Sequence, residues 1–175
     1  MESLPLSQWE NFYVILGSAA GGLTGLTFVV IALIRDMRNV RPTGVGAFVT
    51  PTIVHFGGVL ALAAFLSMPD LTVWILSAGF GLGGLAGVVY GGFIARNMRR
   101  QGSAYVPVRE DWMWNVVIPT LAYAGLFATG ILIWHHPVAA LHAVASLALL
   151  LLFIGIRNAW DIAVWMTIHG LPPPK

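Results

Sequence analysis

Cysteine is absent from the 175 residues. Disulfides, thiolate zinc sites, iron–sulfur clusters and thiol catalysis are therefore excluded, and the composition carries no mark of a redox compartment. Charge is almost as scarce: Asp, Glu, Lys and Arg make up 9% of the chain, where a soluble domain carries roughly 25%. So few charges cannot cover a water-soluble globule of this size. Coiled coil, collagen and disorder fall away too, since they need charged heptads, a Gly-X-Y period or low hydrophobicity. The chain also lacks a Gly-Lys-Ser/Thr phosphate loop, an HExxH pair and a Gly-x-Ser-x-Gly elbow, so catalysis and ATP-driven transport stand behind transport or assembly.

What fills the chain is apolar, 58% of it. A transmembrane helix needs about 20 mainly apolar residues, and five such spans are predicted, over about 12–34, 45–66, 71–94, 112–134 and 138–156. His135, His136 and Pro137 form the polar, helix-stopping interruption between the last two. The fifth span continues over 157–169 as an interfacial helical extension. The expected fold is an all-α polytopic membrane protein, a single domain over residues 1–175 with five transmembrane helices. The stretch before the first span holds Glu2 and Glu10 and no basic residue, so that helix is expected to be retained rather than cleaved as a signal peptide.

Basic residues in short loops stay on the cytoplasmic side of a membrane. Here Arg35, Arg38 and Arg41 occupy the first loop, Arg96, Arg99, Arg100 and Arg109 the third, and Arg157 and Lys175 follow the fifth span. The N-terminus, the loop around Asp70 and the His135–His136 loop have none. The pattern predicts an N-terminus outside, a cytoplasmic C-terminus and a bacterial-type inner (cytoplasmic) membrane. The net charge of +2 then separates into about +5 inside and about −3 outside, and the arginines report topology rather than nucleic-acid binding. Trp9, Phe12, Tyr13, Trp74, Trp112, Trp114, Trp134 and Trp160 fall at span ends, the aromatic-belt position.

Small residues are the clearest internal pattern. Gly79, Gly83, Gly87 and Gly91 recur every four residues in the third span, and Gly17, Gly21 and Gly25 do so in the first. Such stripes allow close helix approach in lipid, which predicts that these two helices pack on each other or on copies in a homo-oligomer. In the second span, Pro51 frees a backbone acceptor, and Thr52 and His55 project close to one another. A titratable ring near mid-span needs a partner or water, so Thr52 and His55 are pore or ligand candidates. On the fifth helix His142, Ser146 and Arg157 share a face and Asp161 lies beside it, forming an i,i+4 pair with Arg157. They are candidates for a vestibule, a gate or an interfacial anchor.

Zinc or copper would draw on His135, His136 and His142, whose spacing matches no established metal motif. Haem between His55 and His142 is disfavoured because the two lie at different depths. The first functional reading is a small oligomeric channel or passive carrier for an ion or small solute. The alternative is a haem- or metal-holding membrane subunit of a larger complex. A second alternative is a structural or regulatory subunit without a ligand site, whose Arg-rich loops meet a protein partner or anionic lipid. The lipid bilayer is a partner in every case.

Overall fold

The computed structural model describes residues 6–36, 45–100 and 108–169, with side chains over 6–32, 50–100 and 108–164. Glu2, Arg38, Arg41 and Lys175 lie outside the described residues, as do the side chains of Arg35 and Asp36. Every described element is helical: α1 (Glu10–Asp36, led in by a 3-10 turn at Leu6–Trp9), α2 (Val45–Leu66), α3 (Val73–Arg100), α4 (Arg109–Leu132) and α5 (Pro137–His169). Each coincides with one predicted span. Helix α3 continues six residues further than expected, through Arg99 and Arg100, and α5 includes the extension to residue 169. Four segments are long and apolar enough to cross a membrane: Leu6–Ala32, Val73–Arg100, Arg109–Leu132 and Pro137–Val164. The described part of the remaining helix, Thr50–Leu66, is a shorter apolar segment.

The helices alternate in direction along the chain. Helix α1 packs on α2, α2 and α4 pack on α5, and α3 packs along α4. The tight turn from α2 to α3 places Asp70 at φ 56°, a left-handed conformation that Asp tolerates because its short side chain adds little crowding. Trp9, Trp74, Trp134 and His142 gather at one end, where Trp9 meets His142 and Trp74 meets Trp134. At the other end Arg99 lies over Trp112, and Arg157 reaches Glu110. We call these the tryptophan end and the basic end.

Helix α4 is not regular. Pro119 has no N–H to offer the carbonyl of Asn115. The turn before it widens into a π-helical segment, Met113–Val117, closed by Ile118 N–H bonding the Met113 carbonyl. Its N-terminus is held by Asp111, whose Oδ2 accepts the Val108 N–H at 3.0 Å, an acid where the helix dipole favours one.

The two glycine stripes pack on different partners. Helix α3 buries Leu76, Phe80, Gly84, Gly87, Gly91, Ile94 and Met98, positions separated by alternating threes and fours that stay on one face of a 3.6-residue helix. That face meets α4. A Cβ at Gly84 would overlap the Phe127 backbone, one at Gly87 the Tyr123 ring, and one at Gly91 the Thr120 hydroxyl. Gly79 faces Phe65 of α2, and Gly83 is exposed. On α1, Gly17 lies against Ala63 and Gly21 near Leu60, both of α2, while Gly25 has open space beside it.

Candidate functional site

Polar groups at the centre of an apolar bundle need explanation, because an unpaired one costs about 1–3 kcal/mol. His55, on α2, is 2% exposed. Its Nδ1 lies 3.1 Å from the Tyr123 hydroxyl of α4, and its Nε2 is buried without a partner among the described residues. Tyr123 reaches α2 because Gly87 leaves room for its ring on one side and Gly58 approaches its hydroxyl on the other. One turn nearer the basic end, Thr120 lodges against Gly91 with its hydroxyl buried and unpartnered. Tyr90, next to Gly91, buries another hydroxyl without a partner among the described residues.

Further towards the basic end, Asn115 sits in the π segment and Asn158 on α5. Asn115 donates its Nδ2 to the Asp111 carbonyl at 3.1 Å and leaves Oδ1 unpartnered. Asn158 is 4% exposed, with neither side-chain amide atom partnered among the described residues. Beside them Arg157 stacks 4.3 Å from the Trp114 ring, bonds Asp161 at 2.7 Å and approaches Glu110 at 3.8 Å. The Arg157–Asp161 pair thus forms, and Arg157 also ties α5 to the start of α4. Among the described residues, all the buried unpartnered side-chain polar atoms but the Tyr13 hydroxyl lie from His55 towards the basic end.

The opposite half is dry. Val59, Ala63, Leu66, Leu76, Phe80, Leu126 and Val144 pack there, all buried. Apart from the buried Tyr13 hydroxyl, its polar groups named here are satisfied locally: Thr129 Oγ1 donates to the Leu126 carbonyl, and Ser77 Oγ donates to the Gly130 carbonyl at 2.6 Å while accepting Trp134 Nε1–H at 2.9 Å.

The sequence candidates do not form one site. Thr52 is buried and borders an apolar crevice of about 100 Å³ between α1, α2 and α5, beside Phe56; His55, three residues on, turns towards α4. His142 and Ser146 are exposed. His142 Nδ1 donates to the Val138 carbonyl at 2.9 Å, and Ser146 Oγ donates to the His142 carbonyl at 2.9 Å, so both polar groups are spent on their own helix. Gly155 packs against Phe56 and His142 precedes it by 13 residues, which places His142 about 20 Å along the axis from the His55 level at 1.5 Å per residue. The two cannot ligate one haem iron within a chain. His135 and His136 are exposed in the turn before α5. Among the described residues no three His, Asp or Glu side chains assemble as a metal-binding group.

Sequence reasoning missed Tyr90, Asn115, Thr120 and Tyr123. A signal was present for two of them: Asn115 and Tyr123, with Pro119 between, recur at every fourth position of a mainly apolar span, which puts them close to one helix face.

The fold and its interior define an all-helical protein with helices that fit an integral membrane protein and a buried polar cluster open in composition towards one end. Comparison with protein families, curated proteins and solved structures finds no match.

Proposed function

We propose that this chain is an integral membrane protein, with its N-terminus outside and its basic end cytoplasmic, that acts as a passive carrier or channel for an ion or small solute. The observation that carries the reading is the one-sided polarity of the core. From Arg157 through Asn115, Asn158 and Thr120 to the His55–Tyr123 bond, hydrogen-bonding groups stand among the apolar side chains of the interior; beyond that bond the described core is mainly aliphatic and aromatic, with the Tyr13 hydroxyl its one unpartnered buried polar side-chain atom. A carrier closed on its outer side has this profile, since polar groups at membrane depth are expensive unless they face water or cargo. The nine basic residues, all at the same end by the sequence pattern, support the direction. A homo-oligomer would use the faces of α1 and α3 that remain open, where Gly22, Gly25 and Gly92 have no neighbour.

The test is solute flux into proteoliposomes holding the purified protein. Native protein is expected to accelerate permeation of at least one probe among K⁺, H⁺, Cl⁻ and urea. His55→Leu, which removes the ring's polarity while filling its space, should reduce that rate about tenfold or more, the worth of one good hydrogen bond. Absence of flux for every probe in the native protein would remove the carrier reading.

A further inference from the structure

Resting on the membrane orientation proposed above, but not on the passage of a solute, we infer that the exposed face of α3 at the basic end binds one anionic phospholipid. Its phosphate lies among Arg96, Arg99 and Arg100, and an acyl chain follows the apolar stripe that precedes them. The sequence pattern assigns these arginines to a loop, whereas α3 continues through Arg100. A helix therefore displays all three, and all three are exposed. Spacings of three and four residues keep them on one side of it, with Arg96 and Arg100 about 5–6 Å apart at Cβ. Arg99 rests on α4, 5.7 Å from the centre of the Trp112 ring.

The same side of the helix is apolar further from the basic end. Leu82, Leu85, Val89 and Gly92 lie within about 40° of the Arg96 direction. The three larger side chains are exposed, as is the neighbouring Phe93, and a Cβ at Gly92 would meet open space. Leu85 precedes Arg96 by 11 residues, about 16 Å of helix, close to the roughly 15 Å of hydrocarbon in one leaflet. A lipid of that leaflet thus meets the stripe with its chain and the arginines with its phosphate.

The charge calls for an anion. Among the described residues no carboxylate pairs with Arg96, Arg99 or Arg100: Arg157 holds Glu110 and Asp161, and Asp111 accepts the Val108 N–H. Positions 101–109, which follow, contain no Asp or Glu. Basic clusters beside a membrane span attract anionic headgroups, and the donor fork of arginine can bond two phosphate oxygens at once. A second copy of this chain fits less well. Inserted in the same direction and paired through this face, it would set three arginines against the same three. Gly22 and Gly25 of α1 are then the open positions left for a subunit contact.

The experiment is native mass spectrometry of the full chain, released from detergent micelles with phosphatidylglycerol or phosphatidylcholine of the same acyl chains. It is paired with labelling by phosphatidylglycerol that carries a photoreactive diazirine in one chain. One phosphatidylglycerol per chain is expected, held about tenfold or more above phosphatidylcholine. Arg96→Gln should weaken it about fivefold, the worth of one basic residue at an anionic surface, and Arg96→Lys should restore it. An excess of inorganic phosphate should not displace it, and the label should fall on Leu85, Val89 or Phe93. Equal binding of the two lipids, binding that survives loss of all three arginines, or displacement by phosphate would overturn the site. So would label spread equally over the exposed Val14, Ile15 and Phe28 of α1, or a dimer that excludes both lipids. A chain that keeps phosphatidylglycerol but shows no flux would lose the carrier alone; one that keeps neither lipid and stays dispersed without detergent would overturn the membrane reading as well.

Discussion

Two adjacent glycines of α3 separate a stripe that packs within the chain from one that packs elsewhere. A Cβ at Gly84 would stand 2.7 Å from both the Phe127 Cα and the Tyr123 carbonyl oxygen, whereas one at Gly83 would meet only Leu126 Cδ2, at 3.9 Å. The obstacle at 84 is the backbone of α4, which has no rotamer to change. Ordinary contact starts at 3.4 Å, so Gly84→Ala must part α3 and α4 by about 0.7 Å or more there. That displacement is shared by the Gly87–Tyr123 and Gly91–Thr120 contacts further along α3 towards the basic end. Overpacking of this kind costs about 1–3 kcal/mol, and an unyielding backbone puts Gly84→Ala near the upper limit. At Gly83 the methyl is free and gains about 0.5–1 kcal/mol of helix preference. The assay is unfolding in mixed micelles, native detergent titrated with sodium dodecyl sulfate and followed by far-ultraviolet circular dichroism. The midpoint should fall for Gly84→Ala and hold or rise for Gly83→Ala. A comparable loss at both positions, or a larger one at 83, would refute the packing and put the every-fourth stripe against another surface.

Two further perturbations address the tryptophan end. Ser77→Ala removes both the donor to the Gly130 carbonyl and the acceptor of Trp134 Nε1–H; the expected cost is about 1 kcal/mol. It should also weaken the near-ultraviolet circular dichroism of the Trp74–Trp134 pair, whose rings lie 4.4 Å apart, and an unchanged spectrum would contradict the role of the Ser77–Trp134 hydrogen bond in holding that pair. Asp70, at φ 56°, should accept glycine without loss, whereas Asp70→Val should cost about 1–2 kcal/mol because a branched side chain is crowded in the left-handed region. Thermal unfolding in detergent distinguishes the two, and equal midpoints would mean the turn relaxes to another conformation.

The number and order of the helices were legible because each is an apolar run, four of them of membrane-spanning length among the described residues, bounded by charge, Pro or a His pair, and that signal is local. The partner of each helix is not local. An every-fourth reading of Gly79, Gly83, Gly87 and Gly91 points at a single face, yet four residues overshoot a 3.6-residue turn by about 40° at each step, so the true face passes through Gly84 and omits Gly83. Likewise His55 was visible as a polar ring in an apolar span, while Tyr123, its partner 68 residues away, looked like one more aromatic. Contact between them depends on how α2 and α4 lie against α5, which no local pattern encodes. Pro51 drew notice as a helix breaker; Pro119, which widens the turn carrying Asn115, did not, because its effect falls on the residues before it.

Small residues and polar residues in this bundle are one feature seen from two helices. The wide face of α3, stripped of side chains at Gly84, Gly87 and Gly91, would be an unfilled groove if α4 presented only aliphatic side chains of ordinary length. Helix α4 instead presents Tyr123 and Thr120 there, and the ring of Tyr123 is long enough to cross the groove and place its hydroxyl on His55. The polar cluster therefore depends on glycine as strictly as on histidine. A Cβ at Gly87 or Gly91 would meet Tyr123 or Thr120 directly, so a substitution there acts on these two side chains. Loss of flux in such a variant with a retained helical spectrum would be a change of site geometry transmitted by a single methyl group, not a failure of assembly.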